Sequence, residues 1–316
     1  MNKIFGIDIS EFQNKINLKK AKAEGVKFVM IRAGFTGSSN GISKAVDSCY
    51  EKHYKNAKKY GLEVGAYWFS RATSYEQGKN EAKFMYENCL KNKTFEYPIA
   101  IDVEDSVYQA KVSKKRVTDA IRGFCEYLKN KGYYPIIYAN SYWFKNKVDL
   151  SKLKSYDKWV ANWGKSNPVS PKHGIWQFGG STNLIRSNKI AGLVVDQDYA
   201  YKDYPYIMKN KGLNGFKKNK DKYTIGDYIT LEPLKIRTGP GVNYRQKAVK
   251  ELTVNGQSNA TSKGKNEKAV YKKGTVFTAL KIVKKEDSYW AKTPSGYVCL
   301  QLNNTKYCKK VTDTKK

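Results

Sequence analysis

The feature that most constrains the fold is a regular alternation of short apolar runs and amphipathic segments between residues 3 and 204. The apolar runs are rich in β-branched residues and stop at glycine or polar residues, which is typical of buried strands. The clearest amphipathic segment, 113–132, places Val117, Ile121 and Leu128 on one helical stripe. Eight runs are predicted as strands: 3–10, 28–34, 63–70, 97–105, 133–140, 158–163, 174–180 and 193–199.

This alternation predicts the fold class of the first part of the chain. Strands that alternate with helices form parallel sheets with right-handed crossovers, and eight strands within about 200 residues favour a closed barrel. The last three strands are joined mainly by loops, so we expect the barrel to be irregular. The predicted class is therefore α/β: an irregular β/α barrel, followed by a smaller domain of a different kind.

The sequence changes character after residue 206. The segment 207–222 is rich in Lys, Asn and Gly with little periodicity, and we interpret it as a linker. Beyond it, short alternating strands punctuated by Gly and Pro predict a small all-β barrel, with a polar insertion at 255–268. The predicted organisation is one domain over 1–206, the linker, and a second domain over 223–316.

The charge balance narrows the possible partners. The formal net charge is +31, from 59 basic and 28 acidic residues, and the basic residues are mostly lysine. A strongly positive electrostatic field favours anionic partners. Proteins that recognise nucleic acids favour arginine, whose planar guanidinium binds phosphates and bases through two hydrogen bonds. Because lysine predominates here, we expect no nucleic-acid partner. No apolar run reaches the roughly 18 residues of a membrane helix, and the N-terminal apolar core is too short for a signal peptide.

Cysteine and histidine usage predicts no metal site and no cofactor. The five cysteines show no C-x-x-C spacing and are interpreted as free thiols, with a Cys299–Cys308 pair left open. There are only two histidines. We place His53 on an exposed helix face and His173 in a loop, which leaves no histidine cluster for a zinc hydrolase.

Polar residues at the strand ends are the candidates for chemistry. In a parallel barrel, functional side chains gather at the carboxyl ends of the strands. Four of the candidates are carboxylates, and each must be solvated, paired or functional in a shared mouth. The polar residues at or near strand ends are Asp8, Arg32, Tyr67, Asp102, Glu104, Tyr138, Gln177 and Asp196.

Asp102 and Glu104 form the sharpest pair. Residues two apart on a strand point to the same face, so both carboxyls face one cavity, roughly 6–7 Å apart along the strand. Mutual repulsion raises the pKa of one of them, and glycoside hydrolysis needs one protonated and one ionised carboxyl. A D-x-E sequence also occurs by chance at strand ends, but Asp8 and Asp196 at matching strand ends favour the functional interpretation.

Seven ordered blocks resemble family 25 glycoside hydrolases, which are N-acetylmuramidases. The resemblance covers about residues 3–204 and implies an irregular β/α barrel that cleaves the β-1,4 bond from N-acetylmuramic acid to N-acetylglucosamine in bacterial peptidoglycan. The blocks are GIDIS-x-x-Q (6–13), VMIRAG (29–34), GAYWFS (65–70), IDVE (101–104), WVANW (159–163), IWQFGG (175–180) and VVDQDYAY (194–201).

The resemblance also implies roles for the carboxylates. Glu104 matches the general acid, and Asp102 matches the carboxylate that assists the substrate's acetamido group in a retaining, substrate-assisted reaction. Asp8 and Asp196 match the two other acidic residues of the site. The absence of a signal peptide then fits a phage or prophage endolysin, which is expected in the host cytoplasm before lysis and at the cell wall afterwards.

The remaining site candidates are expected to bind substrate. They are Arg32, Tyr67, Tyr138, Gln177 and Asp198, of which the two tyrosines match aromatic positions that line the sugar groove. Asp198 stands where the family block usually has Asn, so Asp196 and Asp198 compete for one role. Asp196 is preferred because it follows the Val-Val pair. Trp68 stands where many members have His.

The second domain resembles bacterial SH3-like domains, which commonly bind cell walls. The core reads K-I-R-T-G-P at 235–240, where N-V-R-x-G-P is usual. Residues 211–316 hold 24 basic and eight acidic residues, so we expect anionic wall polymers as partners. Tyr244, Tyr289 and Trp290 are the candidate stacking aromatics. The oligomeric state is left open.

Two alternatives of other classes remain. One is a peptidoglycan amidase or endopeptidase, which would need a Cys-His pair or a zinc cluster. The other is a non-catalytic protein that binds polyanions or the cell wall through its positive charge. The second alternative gives no reason for four carboxylates to fall at strand ends.

Overall fold

The computed structural model describes residues 3–37, 39–181, 185–217, 223–303 and 305–311. The chain divides into two compact units, Met1–Asn219 and Lys220–Lys316. The boundary between the units therefore falls inside the predicted linker. No helix in these described ranges is long and apolar enough to cross a membrane.

The first unit alternates strands and helices. Its strands are β1 (Ile4–Ile9), β2 (Phe28–Thr36), β3 (Lys44–Val46), β4 (Glu63–Phe69), β5 (Ile99–Asp102), β6 (Pro135–Asn140), β7 (Asp157–Ala161), β8 (Ile175–Gly179), β9 (Lys189–Ile190), β10 (Leu193–Val194) and β11 (Asp196–Ala200). Its α-helices are α1 (Leu18–Ala23), α2 (Tyr50–Lys59), α3 (Tyr75–Met85), α4 (Lys114–Asn130), α5 (Ser141–Asn146) and α6 (Tyr204–Lys211). Short 3-10 helices lie at Glu11–Gln13, Gln109–Lys111 and Leu150–Leu153.

Eight strands close into a barrel, in the order β1-β2-β4-β5-β6-β7-β8-β11 and back to β1. The closed α/β barrel is thus confirmed. The expectation of an all-parallel sheet is wrong for the last strand, because β11 runs antiparallel to both β8 and β1. An antiparallel neighbour needs no helical crossover, and among the described residues between β8 and β11 the chain forms the short β9–β10 hairpin.

The barrel is packed on both faces of its wall. Phe28, Ile136 and Trp159 are fully or almost fully buried in the interior cluster. The stripe predicted on α4 is buried against the outer face, as its amphipathic pattern requires. Helices α3 and α4 approach closely at Gly78, where an added Cβ would lie 2.0 Å from the carbonyl oxygen of Ala120.

The start of the predicted linker is wrong. Helix α6 begins after the capping residue Asp203, and Met208 is buried in the barrel interior. The buried Asn214 donates to the carbonyl of Tyr97 at 2.8 Å and accepts from the amide of Tyr134 at 2.7 Å. The chain through 216 therefore seals the barrel beside the starts of β5 and β6. Residues 218–222 of the predicted linker lie outside the described residues.

The second unit is all-β apart from short helical turns, as expected. Its strands are β12 (Gly226–Thr230), β13 (Leu234–Lys235), β14 (Val270–Tyr271), β15 (Val276–Ala279), β16 (Lys281–Lys285), β17 (Ser288–Thr293), β18 (Gly296–Leu302), β19 (Thr305–Lys306) and β20 (Cys308–Lys310). They form the sheets β15-β12-β20, β13-β14 and β16-β17-β18-β19 around a core that includes Ile236, Phe277 and Leu300. The polar insertion begins as helix α7 (Val254–Ser258).

His53, Trp290 and the cysteines depart from or sharpen the sequence interpretation. His53 is 1% exposed and its Nε2 lies 3.1 Å from the carbonyl oxygen of Ser10, so its placement on an exposed face is wrong. Trp290 is 2% exposed and donates to Ser288 Oγ at 2.9 Å, so it belongs to the core. All five cysteines are free thiols, and Cys308 directs its sulfur towards the Cys299 carbonyl.

Candidate active site

The strand register brings the predicted carboxylates to one rim of the barrel. Asp8 near the end of β1 is directly opposite Asp196, the first residue of β11. Because β11 is antiparallel, its starting end lies at the same rim as the finishing ends of the parallel strands. Asp102 ends β5 and is opposite Tyr138 on β6, and Glu104 follows two residues later.

A cleft of about 480 Å³ opens at this rim. It contains two of the predicted carboxyls, Glu104 and Asp196, together with Tyr138 and Gln177. The rest of its lining is Asn140, Ser141, Tyr142, Ala161, Asn162 and Trp163. The cleft therefore presents acid groups beside aromatic and amide side chains, which is a lining suited to a carbohydrate.

The two cleft carboxyls both hold protons more tightly than an exposed carboxyl. Burial and the nearby charge of Asp196 raise the pKa of Glu104 to about 6. Burial raises the pKa of Asp196 to about 6 as well. Near pH 6 the pair therefore supplies both a proton donor and an ionised carboxylate in one cleft.

Asp102 is buried at the same rim of the barrel, at the end of β5. It is 4% exposed, and none of the described protein groups hydrogen-bonds to its Oδ1. Burial and the charge of Glu104 raise the pKa of Asp102 well above its ordinary value, while the positive charge of Arg32 opposes them. A buried carboxylate oxygen without a partner costs free energy unless a ligand supplies a donor.

Arg32 acts through its charge and is held by other carboxylates. Its Nε donates to Asp47 and its Nη2 to Glu11, each at 2.7 Å. Its guanidinium also faces the Phe12 and Phe35 rings, 5.1 and 5.2 Å from their centroids. These contacts hold the guanidinium against its ion-pair partners, and Arg32 is not among the residues that line the cleft.

Gln177 connects a buried carboxyl to the cleft. Its Nε2 donates to Asp8 Oδ2 at 2.9 Å, and its Oε1 accepts from Tyr138 and Trp163, each at 3.1 Å. Burial, followed by the charges of Asp198 and Asp196, raises the pKa of Asp8 well above its ordinary value. The amide thus links three side chains of the site.

The two competing aspartates of β11 have different surroundings. Asp196 lines the cleft, whereas Asp198 is fully buried and accepts from Trp159 Nε1 at 2.7 Å. Burial raises the pKa of Asp198 to about 8, although the Trp159 hydrogen bond lowers it. Tyr67 packs edge-on to Trp159 at 5.9 Å, next to the buried carboxyls, and burial and those charges raise its pKa well above the ordinary value.

Comparison with known proteins places this barrel in a family. A sequence model described as Glycosyl hydrolases family 25 matches residues 7–185, more than half of the chain. The chain belongs to glycosyl hydrolase family 25. The autolytic lysozyme of Clostridium acetobutylicum is 31% identical over 163 residues, 52% of this chain and 46% of that relative. The matched part of this chain thus spans less than half the length of that relative.

Two further relatives agree with this assignment. Lysozyme M1 of Streptomyces globisporus is 27% identical over 207 residues, which cover 59% of this family 25 chain and 67% of that protein. The crystal structure of the CTP1L endolysin is 26% identical with a TM-score of 0.54, covering 66% of this chain and 69% of that one. The barrel found here is therefore a family 25 barrel.

The family 25 cleft contains residues that the sequence analysis did not select. Trp163 and Tyr142 line it with 44% and 65% of their surfaces exposed, beside Asn140 and Asn162. Trp163 closes the WVANW block two residues after β7 ends, so an aromatic just past a strand end was the signal that could have found it. The departure at Trp68 lies elsewhere: it is fully buried and donates to Thr36 Oγ1 at 3.3 Å.

Proposed function

We propose that this chain hydrolyses the β-1,4 bond between N-acetylmuramic acid and N-acetylglucosamine in bacterial peptidoglycan, as a muramidase of the endolysin type. The observation that carries the proposal is the pair Glu104 and Asp102. One carboxyl with a raised pKa lines the cleft, and a second is buried at the same rim with an oxygen to which no group of the described residues donates a hydrogen bond. The lysozyme relatives support the same substrate class.

Glu104 is the proton donor in this proposal. With a pKa of about 6 it retains a proton in mildly acidic solution and delivers it to the glycosidic oxygen as the bond breaks. The resulting carboxylate then takes a proton from the incoming water, as microscopic reversibility requires of a retaining enzyme. The neighbouring Asp196 keeps the carboxyl's proton affinity high when it is itself ionised.

Asp102 orients the substrate rather than attacking it. Its free Oδ1 accepts the N–H of the acetamido group, which turns the acetamido carbonyl oxygen towards the anomeric carbon. That oxygen forms a bond to the anomeric carbon as the bond to the leaving group breaks. Water then attacks the anomeric carbon, the bond to the acetamido oxygen breaks, and the configuration is retained. Asp8 lies deeper, and Gln177 links it to the cleft side chains.

The aromatic and amide side chains of the cleft hold the glycan. Trp163 is half exposed, and its Nε1 is fixed by Gln177, so its face is held ready for a sugar ring. Asn162 lies beside it in the lining and Tyr142 is largely exposed. This arrangement gives stacking and hydrogen bonding on the side of the cleft formed by the ends of β6 and β7.

The second unit is proposed to be an SH3-like module that binds the wall through anionic polymers. Its excess of lysine supports electrostatic attraction, which physiological salt screens beyond about 8 Å. Of the three candidate aromatics, Trp290 is buried, Tyr289 packs against Tyr223 at 5.0 Å, and Tyr244 is 45% exposed. Tyr244 is therefore the aromatic best placed to stack on a ligand.

The test is an end-group assay on purified peptidoglycan. A muramidase releases new reducing ends, an amidase releases amino groups, and a binding protein releases neither. We expect reducing ends from the wild type and almost none from Glu104→Gln. Release of amino groups without reducing ends would refute the proposal in favour of an amidase.

A further inference from the structure

Glu104 lies two residues beyond the end of strand β5. The last sheet-like hydrogen bond of this segment joins the amide of Val103 to the carbonyl of Tyr138 at 3.0 Å. Irregular chain follows as far as the 3-10 helix at Gln109–Lys111. A proton donor must be held within about 0.5 Å of its working position, so the residues that anchor this segment bear directly on catalysis.

The next residue, Asp105, is the main anchor. It is 2% exposed, and its Oδ1 accepts from Arg71 Nε at 2.9 Å. Its Oδ2 accepts from the backbone amides of Tyr108 and Gln109, at 2.5 and 3.2 Å. One buried carboxylate therefore connects the turn after Glu104 to the chain that follows β4.

Arg71 and Gln109 complete what we call the Asp105 clamp, which consists of Arg71, Asp105 and Gln109. The Arg71 guanidinium also donates to the carbonyl of Thr36 and stacks over the Phe69 ring, 4.9 Å from its centroid. The side-chain oxygen of Gln109, Oε1, accepts a hydrogen bond from the backbone N–H of Asp105 at 3.3 Å. The side-chain nitrogen of Gln109, Nε2, donates to Ser70 Oγ at 3.3 Å and to the Ala72 carbonyl at 3.2 Å.

A second buried carboxylate holds the far side of the clamp. Glu81 on α3 is 2% exposed and accepts from Thr36 Oγ1 and Ser70 Oγ, each at 2.6 Å, and from the Arg71 amide at 3.0 Å. The Ser70 amide in turn donates to the Asp102 carbonyl at 3.0 Å. The segment 70–72 thus holds the chain on both sides of Glu104, at Asp102 and at Asp105.

We infer that Asp105 and Arg71 are positioning residues that fix Glu104 for proton transfer. The inference rests on the proposed function of Glu104. Replacing Asp105 by Asn keeps its shape but places an NH2 group against donors, so one anchor of the turn is lost. A displacement of about 1 Å at a catalytic group costs up to about 100-fold in rate, which sets the scale of the expected loss.

The experiment compares wild type, Asp105→Asn, Glu104→Gln and the double variant on soluble peptidoglycan fragments. We expect Asp105→Asn to lower kcat by about 10- to 100-fold with KM changed less than about twofold, and to move the alkaline limb of the kcat–pH profile. Because Asp105 acts through Glu104, the double variant should retain the residual rate of Glu104→Gln.

The control is Glu96→Gln, which breaks another partly buried ion pair. Glu96 lies 2.7 Å from Lys58 and also accepts from the Val64 amide at 3.1 Å. We expect it to lower the melting temperature about as much as Asp105→Asn but to leave kcat and its pH profile unchanged. Arg71→Lys serves as a second clamp variant if Asp105→Asn unfolds, and it should lower kcat in the same direction.

The outcomes separate the two claims. Near wild-type activity of Glu104→Gln would overturn the proposed function itself. If Glu104→Gln is inactive but a folded Asp105→Asn or Arg71→Lys keeps wild-type kcat and pH profile, only the positioning role is wrong. The positioning role is also wrong if Asp105→Asn lowers the residual rate of Glu104→Gln by the same factor as it lowers the wild-type rate.

Discussion

Removing the proposed proton donor, Glu104, should make the protein less active and, at neutral pH, more stable. The pKa of Glu104 is raised from 4.5 to about 6, chiefly by burial. At pH 7 about one molecule in ten carries the proton, against about one in 300 at a pKa of 4.5. Glu104→Gln keeps the side-chain size but has no proton to give, so we expect a loss of about 100- to 10,000-fold in kcat.

The stability change follows from the same shift in pKa. The pKa of Glu104 is higher in the folded state than in the unfolded state. Below about pH 4.5, binding of this proton therefore stabilises the folded protein relative to the unfolded chain. That advantage is lost as the pH rises through about 6. At about 1.4 kcal/mol per pKa unit, the ionised carboxyl costs at most about 2 kcal/mol at pH 7. Glu104→Gln should therefore unfold at a higher temperature than wild type at pH 7, and at the same temperature near pH 4.

Two measurements check this prediction: reducing-end release between pH 4.5 and 8, and thermal unfolding at pH 4 and pH 7. The matched control is Glu63→Gln at the start of β4, where burial also raises the pKa of a carboxyl. It should share the sign of the stability change and keep wild-type activity. A Glu104→Gln variant that retains the wild-type rate would refute the reasoning. So would a variant whose unfolding temperature differs from that of the wild type by the same amount at pH 4 and at pH 7.

Four further outcomes are expected. Asp102→Asn should lower kcat more than it raises KM, because the proposed role of Asp102 is to orient the acetamido group; trapping a sugar covalently on Asp102 would contradict this role. Trp163→Ala should raise KM by about tenfold with a smaller change in kcat, measured on soluble glycan fragments, and an unchanged KM would remove Trp163 from the binding surface. A fragment 1–219 should fold and cut soluble fragments, whereas 1–206 should melt at a much lower temperature because it lacks the segment that seals the barrel; equal melting temperatures would contradict this packing. The fragment 220–316 should bind host walls and keep part of that binding at high salt in pull-down assays; complete loss at moderate salt, with no preference between wall types, would reduce it to an electrostatic tether.

Local pattern was enough for the eight barrel strands and for helix α4. The stripe on α4 and the eight apolar runs are recorded in neighbouring residues, because helix and strand periodicities act over a few positions. The prediction of the linker was wrong because the contacts that order its first part are not local. Its composition is polar, yet two residues in it, Met208 and Asn214, find partners far away in the chain. A burial that depends on one or two distant contacts leaves no periodic signal.

The candidate carboxyls were also recognisable from the sequence, because the i and i+2 positions of a strand share a face and strand ends collect function. Their surroundings and their proton affinities were decided by the tertiary structure. The reversal of β11 places Asp196 opposite Asp8, and Gln177 reaches Asp8 from 169 residues away. Burial in that closed barrel raises the carboxyl pKa values, and burial is a property of the packed chain. Residue types and their spacing are local, whereas proton affinity depends on everything that excludes water around a group.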